Sequence, residues 1–335
     1  MIPAVTGQFD PQVVVFGSIQ QKQLTVHAKD QTGKNALPAV QIEADPGISL
    51  STDGSGRNGT LSFWARPQSA APAIDFASLR LGASPGKDSV RELRTIAYDH
   101  IPRIDYFRDA QVKFVVTDLR TSGHRIGYIE GAGDKLPQAL EQMGYEVMLL
   151  KEKDITAATL KSCDAVITGV RAYDVHDWLY GKYEIFMDYV REGGNLIVQY
   201  NRNPAAGSAK AKIGPYTFNV TNVRVTDENA AVSFLLPAHP VLNWPNKITD
   251  ADFSGWVQER GIYFAGQLDS NYQAILSMHD PGEGPQKGSL IVADYGKGKF
   301  VYSGLVFFRE LPAGIPGAYR LLANIIALNH RPPTQ

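Results

Sequence analysis

The chain divides into two stretches whose apolar positions follow different periods. Up to about residue 121, short runs of alternating apolar and polar residues are separated by clusters of glycine, proline and asparagine. Alternation places side chains on opposite faces of a strand, and short strands at regular spacing favour an antiparallel β-sandwich. The predicted strands are residues 13–16, 24–26, 61–65, 74–81, 92–98 and 112–116.

From residue 122 onward, apolar runs of strand length alternate with segments of helical period. Strands predicted at residues 125–129 and 145–150 flank a helix whose apolar positions recur every three or four residues between 136 and 143. Asp134 precedes this helix as a candidate cap, and Gly144 follows it. A strand-helix-strand unit of this kind implies a parallel sheet.

The remaining sequence repeats this order. Further strands are predicted at residues 164–168, 195–199, 289–293 and 299–303, and further helices at residues 155–160, at residues 183–191 and from Pro316 onward. We therefore predict an α/β plus all-β fold class, with a β-sandwich domain over residues 1–121 and a parallel-sheet α/β domain over residues 122–332.

Composition excludes several classes of function. Lys plus Arg total 33 and Asp plus Glu total 34, so no strong net field favours a nucleic-acid partner. No apolar run approaches the roughly 20 residues that a membrane-spanning helix needs, and we expect no membrane span. The single cysteine, Cys163, excludes an internal disulfide and a multi-cysteine zinc site.

The first residues bear on localisation. Residues 1–7 lack the basic and apolar regions of a signal peptide. The sequence leaves two interpretations open: a cytoplasmic protein, or a piece of a longer precursor.

Four segments of the second half resemble a known fold family. They are residues 126–129 (IGYI), 163–173 (CDAVITGVRAY), 189–198 (YVREGGNLIV) and 296–304 (GKGKFVYSG). They resemble the class I glutamine amidotransferase-like fold, within it the branch of trehalose-utilisation (ThuA-like) domains. The resemblance implies that the α/β domain is a flavodoxin-like, amidotransferase-like parallel sheet.

A narrower resemblance extends over nearly the whole chain. Residues 98–102 (YDHIP), 248–253 (ITDADF) and 277–283 (SMHDPGE) are similar to the C-terminal region of large bacterial PIG-L/LmbE-type deacetylases. That resemblance implies a partner in the same polypeptide, namely a catalytic domain that deacetylates N-acetylated sugars. It also implies a periplasmic, cell-envelope or secreted location.

The chain departs from the chemistry of both families. Tyr200 and Asn201 occupy the position where the amidotransferase fold carries its nucleophile, and residues 306–310 (VFFRE) replace the region of its histidine. The deacetylase zinc motif is absent, the nearest string being residues 238–241 (AHPV). We therefore predict no catalytic residue, no metal and no cofactor in this chain.

The candidate ligand-binding residues follow the parallel strands. Because the carboxyl ends of parallel strands meet at one edge of a sheet, residues just after them line a common rim. The candidates are Gly131, Gly133, Arg171, Tyr200, Asn201 and Arg309.

Each candidate also has a structural interpretation. Amides around Gly131 and Gly133 suit an anion or a sugar hydroxyl, or they form a tight turn without a ligand. Arg171 offers a planar donor fork for a carboxylate or phosphate, or it forms a buried ion pair that holds the loop, for example with Glu130 or Asp174. The side-chain amide of Asn201 contacts a ligand, or it caps the loop.

Two other segments carry chemistry-bearing residue types. Cys163 is a candidate nucleophile or a packing residue, and it precedes its strand rather than following it. Residues 174–177 (DVHD) look like a metal cluster, but adjacent residues point apart, which favours a helix cap near Asp177.

Three functions remain open from the sequence. The first is a non-catalytic module that binds a small polar ligand, such as a carbohydrate, or a partner. The second is a hydrolase with a new site built from Glu130, Asp174 or Glu310 together with Tyr200 or Arg171. The third is a structural spacer or dimerisation module.

Overall fold

The computed structural model describes residues 3–33, 40–52, 59–81, 89–97, 101–202 and 213–330. Three predicted features extend outside these ranges: residue 98 of the predicted strand 92–98, residues 98–100 of the segment YDHIP, and the last two residues of the predicted α/β domain. The chain forms two compact units, Met1–Asp118 and Leu119–Gln335.

Ten strands occur in the described part of the first unit. They are β1 (Val5–Asp10), β2 (Val13–Phe16), β3 (Lys22–Asp30), β4 (Val40–Ala44), β5 (Ile48–Thr52), β6 (Thr60–Pro67), β7 (Ala73–Leu81), β8 (Arg91–Ile96), β9 (Ile104–Asp109) and β10 (Gln111–Val116). They form a six-stranded sheet in the order β5-β6-β3-β1-β8-β9 and a four-stranded sheet in the order β2-β10-β7-β4.

The core of this unit lies between its two sheets. Leu24 and Val26 of β3 and Phe114 of β10 are fully buried members of one apolar cluster. Alternate residues of each strand therefore face inward, as the sequence pattern predicts. The sandwich-like expectation is confirmed at this level.

Most strand pairs of this unit are antiparallel, and two pairs depart from that arrangement. Strand β2 pairs with β10 in parallel, and β1 pairs with β8 in parallel at Thr6 and Arg91. Alternation of apolar residues fixes which face of a strand is buried, but it carries no information about the direction of the neighbouring strand.

The second unit contains a seven-stranded sheet in the order β12-β11-β13-β14-β24-β23-β20. Its members are β11 (Arg125–Ile129), β12 (Glu146–Leu149), β13 (Ala165–Thr168), β14 (Asn195–Gln199), β20 (Tyr272–Ala274), β23 (Leu290–Tyr295) and β24 (Gly298–Ser303). The first five in spatial order are mutually parallel, and β23 and β20 are antiparallel additions. The parallel sheet is therefore present, with mixed direction at one edge.

Seven helices occur among the described residues. They are α1 (Leu136–Gln142), α2 (Ala157–Lys161), α3 (Ala172–Val175), α4 (Trp178–Gly181), α5 (Tyr183–Arg191), α6 (Phe307–Glu310) and α7 (Pro316–Ile326). None of the described helices is long and apolar enough to cross a bilayer.

One helix begins later than the sequence predicts, and one predicted cap residue makes no capping hydrogen bond. The predicted helix 155–160 begins later, because Thr156 caps α2 by accepting a hydrogen bond from the Thr159 amide at 3.1 Å. A separate 3₁₀ turn, Glu152–Asp154, precedes it. Asp177 stands at the N-cap position of α4, but its side chain makes no capping hydrogen bond.

Both faces of the parallel sheet are covered. On one face Val166, Leu196 and Phe300 pack with Phe186 and Val190 of α5. On the other face the side-chain Nδ2 of Asn195 donates to the carbonyl oxygens of Ile325 and Ile326 in α7, at 2.9 and 3.0 Å. Burial on both faces explains why these strands read as continuous Val, Ile and Leu runs.

Short strands and 3₁₀ turns fill the long connection after β14. They comprise β15 (Asn219–Val220), β16 (Arg224–Val225), β17 (Ser233–Phe234), β18 (Gly261–Ile262), β19 (Ala265–Gly266), β21 (Leu276–Met278) and β22 (Gln286–Lys287), with 3₁₀ turns at Pro240–Leu242 and Asp250–Phe253. This connection supplies the loop 254–260, which lies against the rim of the sheet through hydrogen bonds to Arg309 and Glu310.

Candidate functional site

The loops that follow β11, β13, β14 and β24 lie along one edge of the sheet. These four strands are consecutive neighbours and run in parallel, so their carboxyl ends are adjacent. The segments that follow these strands carry Gly131, Arg171, Tyr200 and, in α6, Arg309. Open α/β sheets hold ligands at this edge, so this rim is the candidate site.

Gly131 serves the packing of the first loop against the second. A Cβ atom at this position would lie 2.0 Å from the carbonyl oxygen of Val170. The amide of the next residue, Ala132, donates to that same oxygen at 2.8 Å. Gly133 has φ +87° with open space around its Cα, as in a tight turn. One amide of the predicted anion cradle is thus already bonded within the protein.

Arg171 holds the second loop against the third. Its φ of 59° and ψ of 25° lie in the left-handed region, and its amide donates to the Tyr200 carbonyl oxygen at 2.7 Å. Its Nε donates to Asp174 Oδ2 at 3.3 Å. Asp174 Oδ2 also accepts from the amide and Nε of Arg202, both at 3.2 Å. The ion pair within the loop therefore forms, with Asp174 rather than Glu130 as its acid.

Tyr200 lies at the centre of the rim and is only 7% exposed. Its ring packs against Tyr263 and Phe308, with centroids 5.5 and 5.8 Å away. Burial, followed by the charge of Glu259, raises the pKa of Tyr200 to about 12, whereas Arg309 and Arg171 act in the opposite direction. The phenol therefore keeps its proton at neutral pH.

The Tyr200 hydroxyl has no hydrogen-bond partner among the described residues. Its oxygen is not among the buried atoms that lack a partner, so the hydroxyl still reaches solvent although the residue as a whole is largely buried. At this position it can bond to water or to a ligand.

Asn201 is occupied by its own loop. Its Oδ1 accepts a hydrogen bond from the Tyr173 amide at 2.9 Å, and its Nδ2 donates to the Gln199 carbonyl oxygen at 3.0 Å. The side chain is 2% exposed. The structure thus supports loop capping by Asn201, and its part in ligand binding stays a prediction.

Arg309 is fixed by the loop 254–260. Its Nε donates to Glu259 Oε1 at 3.1 Å, and its Nη1 donates to Gln258 Oε1. The guanidinium lies over the ring of Phe308, 4.8 Å from its centroid. Phe308 also packs against Tyr200, so these contacts join α6 to the centre of the site.

Glu310 also binds the loop 254–260. Its side chain is fully buried, and its two carboxylate oxygens accept from the Val257 amide at 3.2 and 3.1 Å. Burial raises the pKa of Glu310 to about 8, while the Val257 hydrogen bond and Arg260 oppose the shift. Glu310 is therefore largely protonated at neutral pH.

Unusual backbone conformations concentrate at this rim. Among the described residues, four that are not glycine have positive φ: Arg171, Gln258, Tyr263 and Gln267. The first three contact Tyr200 or Arg309. Such conformations cost roughly 1–3 kcal/mol each and cluster at functional sites.

Two residues of the site are not predicted from the sequence. Tyr263 and Gln258 lie in the irregular connection after β14, about sixty residues from Tyr200, in a segment without apolar periodicity. The only local signal was the polar and aromatic character of residues 250–260, which is equally consistent with a packed loop. Trp256 and Arg260 of that segment are indeed buried, and Trp256 Nε1 donates to the Asp252 carbonyl oxygen at 3.0 Å.

No group of three or more metal-binding side chains occurs in the described parts of the chain, the segment 174–177 included. Cys163 is buried, and burial raises the pKa of its thiol, which disfavours the nucleophilic thiolate. A cleft of about 390 Å³ borders Cys163, Asp164 and His330 at the opposite, amino-terminal edge of the sheet. Asp164 there already accepts from the amides of residues 124 and 125 and pairs with His330.

Comparison with known proteins returns only distant structural neighbours. The chain matches no family model and no curated protein. Solved structures with some similarity include the S-layer protein rSbsC(31-844) (15% identity over 36% of this chain, TM-score 0.24), a beta-galactosidase from Rahnella sp. R3 (14% over 62%, TM-score 0.37) and domains 1–6 of S-layer protein SbsC (11% over 31%, TM-score 0.19).

The chain covers only 14%, 31% and 21% of the lengths of these three proteins. With TM-scores this low, the similarities carry no argument about this fold or its function. Function must therefore be inferred from the geometry of the rim itself.

Proposed function

We propose that the second unit is an amidotransferase-like domain without its nucleophile, which binds a small polar ligand, a carbohydrate, at the rim around Tyr200. The observation that carries the proposal is the Tyr200 hydroxyl, which belongs to a largely buried side chain and makes no hydrogen bond with any described residue. A ligand hydroxyl would supply the missing partner.

The sheet order supports the amidotransferase-like part. Five neighbouring strands are parallel, helices connect the first four of them along the chain, and Tyr200 directly follows β14, where the resemblance expects a nucleophile. A phenol whose pKa is about 12 is a hydrogen-bond donor and a poor nucleophile at neutral pH. This supports binding without bond cleavage.

The surroundings of Tyr200 support a carbohydrate. Tyr263 and Phe308 are half-buried, so part of each ring remains accessible beside the hydroxyl. Ligand sites combine apolar surfaces of this kind with a few fixed polar groups. The polar groups here are Tyr200, Arg171 and Arg309.

The proposal extends to the parent protein. By the resemblance of the whole chain, this module belongs to a longer polypeptide with a PIG-L-type deacetylase domain, outside the cytoplasm. In that setting the rim would hold a sugar substrate or product near the catalytic domain.

Two assays on the purified chain test the proposal. We expect no hydrolysis of glutamine or p-nitrophenyl acetate above the buffer rate, and saturation-transfer NMR signals for N-acetylglucosamine that Tyr200→Phe weakens. Hydrolysis by the wild-type chain that Tyr200→Phe abolishes would contradict the proposal, because it would make Tyr200 a catalytic residue.

One observation bears on the alternative hydrolase. Glu310 has the raised pKa of a general acid, but it is fully buried beneath the loop 254–260. Asp174 is engaged with two arginines, and Glu130 is exposed. No two of these three carboxylates share a hydrogen-bond partner among the described residues, so we favour binding over hydrolysis.

A further inference from the structure

The charges around Tyr200 favour an anion. Three guanidinium groups, those of Arg171, Arg202 and Arg309, are paired with only two carboxylates, those of Asp174 and Glu259. The side chains of Arg171 and Arg309 are each 35% exposed, whereas those of Asp174 and Glu259 are 13% and 14% exposed. Within these ion pairs the guanidinium groups are therefore more accessible to a ligand than the carboxylates.

The two arginines beside Tyr200 also retain unused donors. Arg171 makes its single side-chain hydrogen bond to the described residues through Nε, which leaves both Nη groups. Arg309 uses Nε and Nη1, which leaves Nη2. A guanidinium offers five N–H groups in a planar fork, and terminal nitrogens of this kind match the two oxygens of a carboxylate.

The acids that pair with these arginines, in contrast, are already engaged. Asp174 Oδ2 accepts three hydrogen bonds from two arginines, and Glu259 accepts one from Arg309. A cationic ligand would have to compete with these arginines. The same groups act on Tyr200 electrostatically, with Arg309 and Arg171 opposed by Glu259, so all of them belong to one site.

We infer that the ligand is an acidic sugar: a pyranose ring with one carboxylate, as in a hexuronate. Resting on the proposed function, this assigns the carboxylate to the free nitrogens of Arg309 and Arg171 and a ring hydroxyl to Tyr200. The apolar face of the pyranose would lie against Tyr263 and Phe308.

Calorimetric titration of the whole chain at low ionic strength tests this class of ligand. The probes are D-glucuronate, D-glucose and acetate, which separate the acidic sugar from its neutral ring and from a bare carboxylate. We expect glucuronate to bind at least tenfold more tightly than either of the others. Arg309→Gln should reduce glucuronate affinity to that of glucose, and salt should weaken glucuronate binding alone.

Arg191→Gln is the matched control. Arg191 is a half-exposed arginine of α5 that pairs with Asp188, away from the rim, and its substitution should leave all three affinities unchanged. The wild-type comparison of probes is independent of whether any variant folds.

Other outcomes separate this inference from the proposed function. Equal affinities for glucuronate and glucose, both weakened by Tyr200→Phe, would overturn the acidic class and leave carbohydrate binding in place. Acetate that binds as tightly as glucuronate would show an adventitious ion only and would overturn the inference. Absence of glucuronate binding would overturn it as well, and the N-acetylglucosamine experiment would then decide the proposed function separately.

Discussion

Some residues at the rim reduce the free energy of unfolding, whereas ordinary core residues increase it. Glu310 buries a carboxyl group whose oxygens meet a single backbone amide, and Arg171 and Gln258 have left-handed backbone conformations. Burying a carboxyl group without full hydrogen bonding is unfavourable, and so is a positive φ in a residue other than glycine. Polar residues kept in such positions are expected where a binding site requires them.

Glu310 should make stability depend on pH. Its folded-state pKa of about 8 exceeds the ordinary value of 4.5. Between these values the unfolded chain loses its proton and the folded chain keeps it, so the free energy of unfolding falls as pH rises. We expect Glu310→Gln to remove this fall, which amounts to on the order of 3 kcal/mol between pH 5 and pH 8.

Urea denaturation of wild type and Glu310→Gln at pH 5, 6.5 and 8 measures the difference. Glu283→Gln, at an exposed position, is the control and should follow the wild type throughout. If the wild-type and Glu310→Gln free energies of unfolding stay parallel across this range, the carboxyl group is not held protonated by the fold.

The rim depends on contacts between loops more than on regular elements. The loop after β11 packs on the loop after β13 through Gly131, and that loop bonds to the loop after β14 through Arg171 and Tyr200. The loop 254–260 is bound by Arg309 and Glu310 of α6. The geometry of the site is therefore set by backbone approach and buried polar contacts.

Gly131→Ala tests this loop packing. The new Cβ would meet the backbone oxygen of Val170 at 2.0 Å, so one loop must move, and we expect a loss of about 2–4 kcal/mol in the free energy of unfolding. Gly133→Ala, at φ +87° with open space, should lose only about 1–2 kcal/mol. Thermal and urea unfolding compare the two; equal losses would mean that the first loop is not packed against the second.

At the scale of the whole molecule, sequence predicted the sheet better than the site. Strands β11 and β14 and helix α5 were placed residue for residue, because continuous apolar runs and a clear helical period mark buried elements. Strands β1, β4, β5 and β9 were missed. In β4, β5 and β9 few residues are buried, so the apolar signal is weak.

The site itself was predicted only in part. Arg171, Tyr200 and Arg309 follow from the rule that ligands bind at the carboxyl ends of parallel strands, and the structure brings them together. Tyr263, Gln258 and Glu259 reach the rim from an irregular connection whose path depends on long-range contacts. No local pattern encodes those contacts, and the unpaired state of the Tyr200 hydroxyl is visible only in three dimensions.

Tyr200→Phe tests the central claim most directly, because it removes one oxygen atom from the rim. We expect thermal unfolding to show unchanged or raised stability, because the lost hydroxyl has no partner among the described residues. We expect the affinity for glucuronate to fall about tenfold. Tyr145→Phe is the control: its hydroxyl donates to the Ser122 carbonyl oxygen at 3.4 Å, so stability should fall and affinity should hold. Unchanged affinity in Tyr200→Phe, with stability lost, would contradict the account and make Tyr200 a structural residue.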